Sequence, residues 1–279
     1  MKTFTVFGLF TLIVFSSFSQ PAKTSLVASL SGEDRIALAR TSIQLTEFHE
    51  RSFWNQYENY QNKCQELTGQ MYTALAEMAG TDKSINDKQA FDVAQKVIYY
   101  RHEQLPLWQK YYAEIGSAHN GIIALQFLQT EVLLDMLESA RIYEETPLKQ
   151  YRFHAMEDPT TNRPIDKHKV LSAALALSKA EEEVFFKIYA QYEHECDDLF
   201  GEDYSLIGNY AVEPYDYTPG QAQLIGFNLL ELMRREIKLK EKYFAEMNTA
   251  MGSSIATRFL AWEDYYSLVS KMESWADAP

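Results

Sequence analysis

Displaced by 132 residues and held without a gap, this sequence matches itself. Leu45, Glu50, Phe53, Tyr57, Tyr60, Cys64 and Leu67 meet Leu177, Glu182, Phe185, Tyr189, Tyr192, Cys196 and Leu199. The same register pairs Gln89 with Gln221, Lys110 and Tyr111 with Lys242 and Tyr243, and Phe127, Leu128 and Glu131 with Phe259, Leu260 and Glu263. Residues 45 to 147 carry 24 identities in 103 positions, where chance gives roughly 6 to 8. Whatever the first stretch forms, the second is expected to form too.

The repeated positions describe the unit. Phe53, Tyr57, Tyr60, Cys64 and Leu67 step by four, three, four and three, as do Phe185, Tyr189, Tyr192, Cys196 and Leu199. That spacing lines one face of a helix. Such a stripe packs against a partner helix; the alternative is an exposed aromatic strip for binding. Thr46, Ser178, Asn86 and Thr218 stand where helices should begin, Ser178 with Glu181 and Thr218 with Gln221 as capping boxes. Pro219 follows Thr218 at the first helical position, where its missing amide hydrogen costs nothing. Glycine at 11 and proline at 8 are too sparse for a turn-rich sheet protein. Each unit therefore predicts a short helix and three longer ones, at about 33–44, 47–80, 87–116 and 119–145, and again 132 residues later.

The expected fold class is all-α: two tandem units of about four helices each, long antiparallel helical hairpins, and a pseudo-twofold cradle if the copies pack about an axis. The expected divisions are a signal peptide at 1–19, an N-terminal segment at 20–32, unit 1 at 33–148, a linker at 149–164 and unit 2 at 165–279. Lys2, the apolar run from Phe4 to Phe15, and Ser17 and Ser19 before Gln20 carry the signal-peptide reading. The run is shorter than the roughly 20 residues of a spanning helix, so no membrane span is expected after cleavage. The location implied is periplasmic or secreted. Without Lys2 the chain keeps 25 basic and 39 acidic residues, which argues against a nucleic-acid partner.

Enzymatic motifs are missing: there is no glycine-rich phosphate loop, no nucleophile elbow and no His-Glu-x-x-His pair. A di-iron bundle needs Glu-x-x-His, and none of the six histidines has a glutamate three residues before it. Nor do histidines recur: His49 meets Glu181, His102 meets Arg234, His119 meets Met251 and His194 meets Asn62. No duplicated metal site and no cofactor are expected; a single asymmetric site near His194 and Glu195 is the remaining metal reading. Glu50, Glu114 and Glu131 recur as Glu182, Glu246 and Glu263, and pairing with a cation at the core edge is the expected role. Cys64 and Cys196, the only cysteines, read either as a disulfide joining the units or as two separate buried thiols.

Three local patterns resemble the Spy/CpxP-like group of small periplasmic helical proteins, particularly the single-unit versions of Bacteroidota. Leu45–Thr46, Asn86–Gln89 and Thr218–Gln221 are similar to the group's Leu-Thr-x-x-Gln signature. Phe53, Trp54, Tyr57 and Tyr60 resemble the pattern that opens its long helix. Lys242–Tyr243 and Arg258, Phe259 and Glu263 resemble segments of its third and fourth helices. The resemblance implies bent helical hairpins that pair as an antiparallel cradle, and a role as an ATP-independent chaperone, an envelope-stress modulator or a metal-responsive sensor. The function expected is non-enzymatic binding of partly folded polypeptide clients. The alternatives are metal or signal sensing, or a structural part of an assembly.

Overall fold

The computed structural model describes residues 32–81, 84–146, 148, 157–158, 163–164, 167–211 and 217–276. The expected signal peptide, the segment up to residue 31 and most of the expected linker lie outside the described residues. Eight α-helices occur among the described residues: α1 (Gly32–Ser42), α2 (Glu47–Ala79), α3 (Asp87–Ala118), α4 (Gly121–Glu144), α5 (Lys167–Leu175), α6 (Lys179–Ala211), α7 (Pro219–Met251) and α8 (Ser253–Ala276). Between α4 and α5, Glu157 pairs with Pro164 and Asp158 with Arg163 in a minimal antiparallel ladder, β1 (Glu157–Asp158) and β2 (Arg163–Pro164). The fold is all-α. Both bounds of α2 and of α4 recur 132 residues later in α6 and α8.

Local chemistry sets most helix starts. Asn86 accepts a bond from the Gln89 amide at 3.0 Å. Thr218 and Gln221 close a capping box ahead of Pro219, and Ser178 and Glu181 satisfy each other's amides at the head of α6. Thr46 has the extended backbone of an N-cap but its side chain accepts no bond. Asn120, which lies outside the repeated identities, caps α4 through the Ile123 amide. Its counterpart Gly252 has a φ of 89°, a left-handed turn suited to glycine. Pro106 lies inside α3, where it removes one helical hydrogen bond without ending the helix.

The packing interleaves the two halves of the chain. In the first core, Phe53, Tyr57 and Tyr60 of α2 pack with Trp108 and Tyr112 of α3, Phe127 of α4 and Leu230 of α7. The second joins Leu75 of α2 and Ala94 of α3 to Phe185 of α6, Phe244 of α7 and Phe259 of α8. α3 and α7 run antiparallel, because the late Tyr112 reaches the carbonyls of Ala222 and Gln223 while the early Phe91 packs on Phe244.

Contacts come in reciprocal pairs. Gly121 at the start of α4 lies against Pro219 and Gln223 at the start of α7. The equivalent junction recurs in the other half, with the Ser254 amide donating to Asp87 at 3.0 Å and the Thr257 hydroxyl to the Ala90 carbonyl at 2.9 Å. A Cβ on Gly121 would collide with the Pro219 carbonyl, and one on Gly226 with the Tyr112 ring and hydroxyl. Those glycines let the helices approach.

Candidate functional site

The expected aromatic stripe is core. Phe53, Tyr57, Tyr60, Phe185, Tyr189 and Tyr192 are all buried, and what they enclose is polar. Glu131 of α4 is 1% exposed. Its two oxygens accept the Tyr57 and Tyr60 hydroxyls, each at 2.7 Å, and Gln61 donates at 3.2 Å. Arg35 of α1 completes the shell at 3.5 Å, and Trp108 donates its indole N–H to the Tyr60 oxygen at 2.8 Å. Burial raises the Glu131 carboxyl above the usual carboxylate range, with Arg35 and the two phenols opposing the shift. Placing a carboxylate there requires this full set of donors.

The second half repeats the arrangement with altered parts. Glu263 of α8 is buried and accepts the Tyr189 hydroxyl at 2.8 Å, and Tyr192 also bonds to it. Lys167, at the position equivalent to Arg35, binds Glu193 at 2.7 Å and lies 4.5 Å over the Tyr266 ring. Burial raises the Glu263 carboxyl, opposed by the Lys167 charge. Two further pairs link the networks: Arg101 with Asp135 at 2.8 Å, and Lys240 with Asp264 at 2.7 Å. The positive charge of Arg101 is also stabilised by Asp264 of the other half.

Cys64 and Cys196 are free thiols. Cys64 is buried in the first core and Cys196 packs against the second. Burial pushes Cys64 up to about 12 and Cys196 up to about 11, so both stay protonated near neutral pH. A cleft beside Cys64, bounded by Arg35, Thr68, Gln104, Glu131 and Asp135, has room for about one water. It is a gap in the network, too small for a metabolite.

The carboxylates matched by the repeat divide by depth. Glu50 is exposed and Glu114 pairs with Lys110 at 3.9 Å across one helical turn. His194 is 78% exposed, with Asp198 at 3.9 Å, while Glu195 is engaged by Lys242 and Tyr243. Among the described residues no group of three or more His, Cys, Asp and Glu side chains is arranged to hold a metal ion.

The solvent-facing feature lies at one end of the bundle. His119 caps the C-terminus of α3 and meets His49 of α2, Nδ1 to Nδ1, at 2.9 Å. The His49 ring packs on Phe48, which is 87% exposed. The following corner, at Gly121, touches the start of α7, where Leu224 is 54% exposed and Phe227 43%. Ile122 on the same corner is exposed as well. Four of the seven exposed large apolar side chains among the described residues are therefore carried by the elements that meet here: Phe48, Ile122, Leu224 and Phe227. Neither this cluster nor the histidine pair is marked in the sequence. Spacing could not bring residues 49, 119 and 224 together without the helix packing.

No helix among the described residues is long and apolar enough to cross a membrane. No protein-family model, curated protein or solved structure matches this chain.

Proposed function

We propose that this protein is a non-enzymatic binding protein of the cell envelope, similar to the Spy/CpxP-like group, that holds partly folded polypeptide against the apolar end of its helical bundle. The observation that carries the reading is that Phe48, Ile122, Leu224 and Phe227 are exposed on the elements that meet at one end. An exposed patch of large apolar side chains is what an incompletely folded client can pair with. The acidic balance of 39 Asp and Glu against 26 Lys and Arg keeps such a surface soluble. The buried carboxylates support a structural part, since their oxygens are taken up by phenols and cations of the same chain.

The two halves act in this reading as a covalent version of an antiparallel dimer. Near-reciprocal contacts support it, because an isologous interface pairs residue i with j and j with i: Gly121 lies against Pro219, and Asp87, the counterpart of Pro219, lies against Gly252 and Ser254, which flank the counterpart of Gly121. The test is aggregation of several unfolding clients with stoichiometric mature protein and no ATP. Suppressed light scattering is the expected result, and no protection of any client refutes the proposal.

A further inference from the structure

Two half-buried imidazoles tie α2 to α3 at the apolar end. His49 stands in the first turn of α2 and His119 at the C-cap of α3, 70 residues apart, yet their Nδ1 atoms meet at 2.9 Å. The other ring nitrogen of His119, Nε2, lies 3.0 Å from the Gln56 Oε1. An amide oxygen only accepts, so His119 keeps its proton on Nε2, and its Nδ1 lone pair accepts the Nδ1–H of His49. The His119 ring also meets Phe53 edge-on, and the His49 ring meets Phe48 in the same way.

The proton count decides whether this contact stands. In the neutral pair one N–H lies between the two Nδ1 atoms. A first added proton, on either ring, still leaves one N–H and one lone pair between them, so the bond is kept. A second puts an N–H on both Nδ1 atoms, and two donors with two positive charges then face each other. The Gln56 bond survives that step because it uses Nε2 of His119. Release is therefore confined to the first turn of α2, where Thr46 provides no side-chain cap to hold the helix start.

We propose that His49 and His119 form a pH-sensitive clasp, closed at neutral pH and opened by the second proton, whose opening frees the first turn of α2 with Phe48 at the apolar end. The surrounding charges leave that step to the rings themselves. Glu47, Glu50 and Arg51 stand beside His49 on α2, Arg40 of α1 lies over Trp54, and Lys110 and Glu114 of α3 pair with each other at 3.9 Å. Residues 121–130 of α4 and 219–230 of α7 carry no charged side chain. The negative end of α3 favours a proton on His119, and the positive end of α2 disfavours one on His49, an effect that Glu47 and Glu50 offset. Burial first, and then the His49 charge, hold His119 below the ordinary imidazole range. Stability from the closed pair is therefore full above the unfolded value of about 6.5 and is lost as pH falls through the folded value. The copy-related positions are Glu181 and Met251, so the second half has no such clasp. The clasp does not depend on client binding.

The test follows the histidine ring nitrogens of isotope-labelled, tag-free mature protein by NMR from about pH 8 to about pH 4.5, with amide exchange read along the same series. At the alkaline end His119 is expected as the Nε2–H tautomer, and the pair is expected to gain its protons in two separated steps, the second below the ordinary imidazole range. After correction for the intrinsic rate, exchange at residues 50–53 should quicken by at least about threefold across the second step, with residues 60–70 unchanged. In His49→Ala, His119 should titrate in one step closer to its ordinary value, and exchange at 50–53 should lose its pH dependence. His102→Gln and His194→Gln should alter neither readout. Titration of His119 that ignores His49→Ala overturns the clasp and leaves an ordinary histidine contact. So does exchange at 50–53 that stays level, or a pair that gains no second proton by about pH 4.5. Ring titration and exchange of the unaltered chain decide the matter even if a variant fails to fold.

Discussion

Glu131 and Glu263 are held inside helical layers by tyrosine hydroxyls, and their titration is coupled to folding. Both carboxyls are raised by burial. A raised folded value means that the stability lent by the protonated form is fully present below the unfolded value of about 4.3 and is lost as pH rises through the folded value. Calorimetry from about pH 5 upward should therefore show the melting temperature falling toward the alkaline side from this source. Replacing both residues by glutamine should flatten that slope; an unchanged slope would count against it. Glu131→Ala should cost about 1–3 kcal/mol, because the buried Tyr57 and Tyr60 hydroxyls lose their acceptor. The sequence marked both glutamates through the repeat and placed them at the core edge with cations. They lie deeper, and phenols are their closest partners. Arg35 and Lys167 escaped notice because they fall before the stretch of identities and differ in type, although 132 residues separate them.

Helices were the legible layer, since period and caps are local properties. The spans expected at 47–80 and 87–116 compare with Glu47–Ala79 and Asp87–Ala118. Caps were legible as residue types but not as bonds. Thr218→Ala should cost about 1 kcal/mol in urea denaturation, whereas Thr46→Ala should stay within about 0.5 kcal/mol because no cap bond exists to lose. Equal losses would contradict this. Glycine in a helix reads from sequence only as a weak point. Gly226 instead admits the Tyr112 ring, whose hydroxyl bonds the carbonyls of Ala222 and Gln223. Gly226→Ala should lower stability by about 1–3 kcal/mol by displacing that ring. No window along one helix could have revealed it, because the reason lies on another helix.

At the scale of the molecule, the repeat was legible but the way its halves interlock was not. Leu230 enters the core formed mainly by the first half, and the other core is shared, with Leu75 and Ala94 packing among residues of the second half. The same interlocking places α2, the α3–α4 corner and the start of α7 at one end, where histidines and apolar side chains meet without any sequence motif. This end is also where the copies differ: Phe48 corresponds to Ala180, Leu224 to Asp92 and Phe227 to Gln95. Client binding should follow that asymmetry. The most direct measurement compares suppression of client aggregation by the mature protein, by a Phe48→Ser, Leu224→Ser, Phe227→Ser variant, and by a control Val184→Ser variant, after circular dichroism has matched their melting. Loss of protection in the triple variant alone is expected; equal protection by all three proteins would contradict a client site at this end.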